Sequence, residues 1–369
     1  MLDKLKINKR LLREIDFSIL IISIIIVVFG AINIFSATGG IKSFKLQLIW
    51  LVLGLIVVYI ILIMDYNVIR NYSTLIYWAC VFLLVLNDFV IGKVSKGAKS
   101  WISIGSRGLQ ASEFAKLGLI LMLAKKIDDM DGKINEPKNF FTLVFYALVP
   151  MVLIVIQPDM GMTMVCFFIV LGIFFISGLN LKVIFGGLAG LVVFISLVWN
   201  SGLIHPYQQQ RLTSFLNPEK DTLGANLQLT QSLIGIGSGG VLGKGFRKGT
   251  QTALSFIPEA HTDFVFAVVG EEWGLVGAVI LLILYGVLIY RFIKIAKTSK
   301  DWFGSIVCVG VISTFLFSLI QNIGMTIGMM PVTGITLPLM SYGGSSILSS
   351  FMAIGLVLNV CMRRKKINF

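Results

Sequence analysis

Long apolar runs separated by short polar breaks dominate the chain. Runs of spanning length lie at 16–36, 44–64, 72–91, 140–157, 160–178, 182–200, 273–293, 303–327 and 339–361. About 20 consecutive apolar residues cross the hydrocarbon core of a bilayer as a helix. A shorter run, 112–127, carries Glu113 and Lys116 near its start. Counting it gives ten spans and an all-α integral membrane protein. The longest polar stretch, 201–272, is then a large extracellular loop between helices 7 and 8. One helix over 263–291 would rise about 44 Å at 1.5 Å per residue, more than the ~30 Å core. The pattern therefore predicts a short outer-face segment at 263–272 and a span at 273–293, with Asp263 at or above the outer membrane surface.

Basic residues orient these spans. With the N-terminus in the cytoplasm, inner segments hold nineteen Lys and Arg and outer loops hold eleven. Cytoplasmic loops carry the excess of positive charge, so both termini are expected inside. Without the fourth span, the later loops would fall on the wrong sides. The basic start followed by an apolar run resembles a secretory signal. That run is about 20 residues against the usual 7–15, and further spans follow, so it is read as the first span.

Composition agrees with a bilayer as solvent: 56% of the 369 residues are hydrophobic and 13% charged, against about 25% charged in soluble domains. The net charge of +13 follows topology and calls for no nucleic acid partner. Cys80, Cys166, Cys308 and Cys361 sit in or beside apolar runs without CxxC spacing, which speaks against a disulfide framework or a zinc site.

Several polar motifs invite a chemical reading. Gly235–Gly240 matches GxGxxG literally, but it lacks the strand, helix and acidic residue of a dinucleotide fold. Close backbone packing explains its glycines better. His205 and His261 are too isolated to suggest zinc. Glu113 and Lys116, three apart on one helical face, form either a structural ion pair or a functional one inside a span. The stretch 256–264 places Glu259, His261 and Asp263 together beside a basic loop. Alone it reads first as a solvated, capping acidic cluster, with a catalytic cluster as the alternative.

The blocks PEAHTDFVFAVVGEEWG (258–274), KGAKSWISIGSRGLQASEFAKL (96–117), QPDMG (157–161), QQRLTSFLNPEKD (209–221), QSLIGIGSGGVLGKG (231–245) and MMPVTGITLPLMSYGGSS (329–346) together resemble the shape, elongation, division and sporulation (SEDS) family. The resemblance spans nearly the whole chain. Small departures stand at Ala111, Thr336, Leu339 and Met340, none at a charged position.

The resemblance implies a peptidoglycan glycosyltransferase in the cytoplasmic membrane of a bacterium. It would polymerise lipid II, the undecaprenyl-pyrophosphate-linked disaccharide pentapeptide. Asp263 maps onto the family's catalytic Asp, the general base on the acceptor 4-hydroxyl. Arg107, Arg211, Lys99 and Lys244 are candidates for the pyrophosphate, since Arg and Lys bind phosphate oxygens through charge-assisted hydrogen bonds. Trp101 is a candidate for lipid or sugar contact, or an interfacial anchor. Glu113, Lys116, Asp159, Glu259 and His261 would support the site. No ligand set for a metal is evident. A divalent cation, Mg2+ or Mn2+, would be the one cofactor, with no organic cofactor. The implied partners are membrane lipids and a class B penicillin-binding protein, the transpeptidase, since the chain has no SxxK motif for crosslinking. The segments 321–334 and 249–256 resemble the elongation (RodA-like) branch more than the division or sporulation branches. A flippase for the same lipid and a recruiting scaffold are the rival readings.

Overall fold

The structure, a computed structural model, describes residues 13–95, 98–104, 107–200, 209, 211, 213–215 and 225–364. His205, and most of 201–224, therefore lie outside the described residues. Helices α1 (Phe17–Thr38), α2 (Ile41–Ile63) and α3 (Tyr66–Leu86, continued by a π turn at Asn87–Ile91) lead into a small sheet. Then follow α4 (Ala111–Asp129), α5 (Pro137–Ile156), α6 (Met160–Ile176), α7 (Leu181–Asn200), α8 (Ala225–Gly239), the single turn α9 (Thr250–Ala253), α10 (Val265–Lys297), α11 (Trp302–Thr326) and α12 (Gly344–Met362). Seven of these, α1, α2, α3, α5, α10, α11 and α12, are long and apolar enough to cross a membrane. Helices α6 and α7 are shorter apolar helices.

Local chemistry sets the boundaries. Asp16, Asp65, Asp159 and Asp301 each accept a backbone N–H from the first turn of the helix that follows. An N-terminal aspartate relieves the orphan donors of a helix start and favours the positive end of its dipole. Pro137 opens α5, where no N–H is needed.

Helices α11 and α12 form the centre: 67% and 89% of their apolar windows are buried, against 22–44% for the other five spanning helices. Asn359 of α12 donates to Ile61 O (2.6 Å) and Met64 O (3.0 Å) at the end of α2. The outer helices turn Phe82, Phe141, Phe145, Leu75 and Tyr290 outward, each more than half exposed. A belt of exposed apolar side chains this wide needs lipid around it.

The chain is mostly helical, as expected, with one addition, a small sheet. Strands β1 (Gly92–Ser95), β2 (Ala98–Ile104) and β3 (Arg107–Gln110) form an antiparallel sheet in the order β1-β2-β3. The pairs Ser95↔Ala98 and Ile104↔Arg107 close it through two-residue connections, whose sequences, Lys96-Gly97 and Gly105-Ser106, contain the glycine that tight hairpins favour. Trp101 lies across Gly108 on the neighbouring strand, where a Cβ would come within 2.6 Å of the indole.

The segment expected to precede the span at Trp273 is set off from it by a break at Gly274, and it is packed in protein. Residues 264–272 are buried in protein, and they are the first turns of α10. The helix breaks at Gly274 (φ 64°, ψ −161°), a conformation essentially restricted to glycine. The Gly-rich run absorbs that break. Lys244 N donates to Glu271 O and Gly245 N to Glu272 O, both at 3.0 Å. In return Leu275 N donates to Gly240 O (3.0 Å) and Val276 N to Val241 O (3.1 Å). Backbone groups freed by a helix break must find such partners when buried. A Cβ on Gly239 would lie 2.0 Å from Gly270 O, and one on Gly243 2.2 Å from Glu272 O. Gly239 and Gly243 serve this close approach, while Gly240 and Gly245 supply positive φ, 56° and 97°.

Candidate functional site

Asp263 stands just before α10, on a turn gathered by one carbonyl. Asp263 N and Phe264 N both donate to Glu259 O, at 3.1 and 3.0 Å. Phe264 below is fully buried, while Asp263 is half-buried. Asn322 of α11 donates from one amide to Asp263 O (2.9 Å) and Ile335 O (2.7 Å). It thereby pins the turn to the 328–343 segment between α11 and α12. On that segment Gly334 faces Asp263: a Cβ there would lie 3.5 Å from Asp263 Oδ2. Glu259 Oε2 accepts from the Thr262 hydroxyl at 2.8 Å. His261 O accepts from Tyr342 N (2.9 Å), and the two rings lie 5.7 Å apart. Glu259 and His261 thus brace the turn that presents Asp263.

A second polar cluster adjoins the same segment. Asp159 caps α6 through Met162 N (3.0 Å), and its other oxygen accepts from Gln110 Nε2 (3.1 Å). Burial raises the Asp159 carboxyl above the usual range. The two hydrogen bonds oppose this, nearby Glu113 adds to it, and Arg211 lowers it. Arg211 therefore lies within the field of Asp159. One helical turn into α4, Lys116 Nζ sits 2.6 Å from Glu113 Oε2, both side chains nearly buried. The Ser349 hydroxyl of α12 donates to the same oxygen. Gln110 N donates to Ser345 Oγ at 3.1 Å. A Cβ on Gly161 would lie 2.9 Å from Ile335 and 3.1 Å from Thr333 O, so the Asp159 turn touches the segment that faces Asp263. Residues 110–116, 159–161, 259–263, 333–335 and 345–349 thus converge on one region.

Other candidates are placed differently. The Lys244 ammonium is held by Glu271 Oε1 (2.8 Å) and Thr250 Oγ1 (2.9 Å). Glu271 is fully buried and also accepts from Gln251 N, Thr252 N and the Thr252 hydroxyl. Lys244 is the countercharge of that carboxylate, apart from the Asp263 turn. Trp101 is half-exposed on β2. Lys99 and Arg107 lie on β2 and β3, with their side chains outside the described residues. Among the described residues no three His, Cys, Asp or Glu side chains gather as a metal site.

Sequence reasoning missed Asn322, Gln110, Ser349 and Gly334. The signal for Asn322 was the polar pair Gln321-Asn322 inside an apolar span, where polar residues default to function or helix contacts. The signal for Ser349 was the serine-rich start of α12. Nothing local marks Gly334 or Gln110; only packing brings them in.

The family model for the FtsW, RodA and SpoVE cell cycle proteins matches residues 9–366. Stage V sporulation protein E of Bacillus subtilis is 37% identical over 360 residues, covering 94% of this chain and 96% of that protein. The peptidoglycan glycosyltransferase MrdB of Escherichia coli K12 is 37% identical over 356 residues, covering 96% and 95%. Among solved structures, a chain of a peptidoglycan synthase complex, described as coordinating polymerisation and crosslinking, superposes with a TM-score of 0.83 at 32% identity, over 95% of this chain and 98% of that one. The rod shape determining protein RodA of Thermus thermophilus superposes with a TM-score of 0.73 at 30% identity, over 95% and 98%. On this evidence the chain is a bacterial membrane protein of the FtsW/RodA/SpoVE (SEDS) family, a family of peptidoglycan glycosyltransferases.

Proposed function

We propose that the chain polymerises lipid II into glycan strands at the outer face of the cytoplasmic membrane, with Asp263 as general base. The observation that carries this reading is the setting of Asp263. Its backbone is fixed by Glu259 and Asn322, while the residue is only half-buried and its carboxylate faces a residue without a side chain, Gly334. A base must be positioned yet reachable. The Asp263 carboxylate takes the proton of the acceptor 4-hydroxyl as that oxygen bonds to the donor's anomeric carbon. The bond from that carbon to the phosphate oxygen breaks, and undecaprenyl pyrophosphate leaves with the electron pair. Pyrophosphate is a good leaving group, so one base plus positive charge at the phosphates suffices. Arg211, beside Asp159, and the hairpin residues Lys99 and Arg107 are our candidates for that charge. Lys244 is reassigned to holding Glu271.

In this reading ten helices span the membrane, α4, α6 and α7 included, with both termini cytoplasmic. The elongation branch is assigned from segments 249–256 and 321–334, because stage V sporulation protein E and MrdB share the same 37% identity with this chain. A class B penicillin-binding protein is the proposed partner, supported by the likeness to a chain from a complex that couples polymerisation to crosslinking. The test is incubation of purified protein with lipid II, followed by a gel for glycan chains. A ladder supports the proposal, and its absence under conditions where the Escherichia coli relative polymerises rejects it.

A further inference from the structure

Helices α1 and α10 pack side by side in opposite directions. Trp273 Nε1 donates to Asn33 Oδ1 (3.1 Å) near one end, and Arg291 Nη1 donates to Asp16 Oδ2 (3.3 Å) near the other. At the Asp16 end they part around a cavity of about 390 Å³, lined on its third side by Arg364, just beyond α12. Among the described residues, Arg13, Arg291, Lys294 and Arg364 line it against two carboxylates, Glu14 and Asp16. Asp16 is already engaged, capping α1 through Ser18 N and binding Arg291. The Arg291 Nε is buried and has no acceptor among the described residues. In sequence, the basic residues Lys4, Lys6, Lys9 and Arg10, with one acid, Asp3, precede Arg13, and Lys365 and Lys366 follow Arg364. The cavity wall continues along α1 as Phe17 and Ile21, 52% and 56% exposed, which in a bilayer face acyl chains.

We propose that this cavity is a binding site for the headgroup of one anionic phospholipid. Its phosphodiester lies among Arg13, Arg291 Nε, Lys294 and Arg364, and its chains run along Phe17 and Ile21. Basic pockets between spanning helices suit such headgroups, and guanidinium groups bind phosphate oxygens with charge-assisted hydrogen bonds. A zwitterionic lipid would bring an ammonium group into a cluster of four cations. This inference is independent of the glycosyl-transfer reading.

The test is native mass spectrometry of the detergent-purified full chain, titrated with phosphatidylglycerol or phosphatidylcholine. One phosphatidylglycerol per chain should be retained, with phosphatidylcholine lost. Arg13→Gln with Lys294→Gln should weaken retention about 30-fold, taking the usual contribution of a basic residue at an anionic lipid surface. Lys138→Gln with Lys182→Gln removes equal charge from exposed positions away from the cavity and should change nothing. Both Arg13 and Lys294 are exposed, so folding should survive; if the pair fails to fold, Lys294→Gln alone carries the test. Three results would each overturn the proposal: equal loss in both double variants, equal retention of the two lipids, or displacement by excess glycerol phosphate, which would make the ligand a free anion.

Discussion

Replacing Lys244 by Ala should cost stability rather than substrate affinity. Glu271 has a fully buried side chain, and Lys244, about a quarter exposed, supplies its charge partner at 2.8 Å. The substitution leaves Oε1 with Gln251 N (2.9 Å) and a long contact from Thr250 Oγ1 (3.3 Å), and Oε2 with Thr252 N (3.1 Å) and Thr252 Oγ1 (2.8 Å). All of these donors are neutral. Breaking a fully buried pair from one side costs about 3–5 kcal/mol. The partial exposure of Lys244 and the surviving donors reduce this to roughly 2 kcal/mol. At about 2–4 °C per kcal/mol, the usual figure for domains somewhat smaller than this chain, the unfolding midpoint should fall by roughly 4–8 °C. Lys244→Arg keeps the charge and should lose less than half of that. The assay is thermal unfolding of purified variants in one mild detergent, paired with the lipid II concentration dependence of polymerisation. An unchanged midpoint with a raised KM for lipid II would refute the reasoning and return Lys244 to the pyrophosphate.

Three further expectations follow from the same geometry. Asn322→Leu keeps the size but strands the carbonyls of Asp263 and Ile335; a loss of about 1–3 kcal/mol is expected, and polymerisation should fall as the turn loosens, both measured on purified protein. Glu113→Gln leaves the Lys116 ammonium buried and should destabilise by about 3–5 kcal/mol. Adding Lys116→Met should restore the midpoint but not polymerisation, because Glu113 also faces Asp159; recovery of both would make the pair purely structural. In a cysteine-free background, a single Cys within 225–250 should label from outside intact cells and one at 130–136 should not; the reverse would sink the ten-span topology.

The spanning helices were legible because 20-residue apolar runs are hard to read as anything else. Helix α4 was not legible by hydropathy, since Glu113, Lys116, Lys125, Lys126, Asp128 and Asp129 all sit on it; the charge census found it instead. The hairpin at 92–110 escaped because a period-two pattern over four to seven residues is faint beside the apolar runs. Burial of Glu271 and Glu272 was illegible for a tertiary reason. Two acids at the head of an apolar run look solvated until Lys244, Thr252 and the Ser36 hydroxyl of α1 are brought to them. The Asp263 motif is local and could be read, whereas Asn322 and Gly334, which define its setting, lie 59 and 71 positions along the chain.

The most direct test of the account is glycan polymerisation by Asp263→Asn at a membrane level matched to the unsubstituted protein. The substitution keeps the size of the side chain and leaves the Asn322 bond, which goes to the backbone carbonyl, in place. Unfolding should therefore be unchanged. Removing a general base costs about 10²–10⁴-fold in rate, so glycan chains should fall to the floor of the gel assay. Glycan ladders of undiminished intensity from a folded Asp263→Asn protein would contradict the assignment of Asp263 as the base.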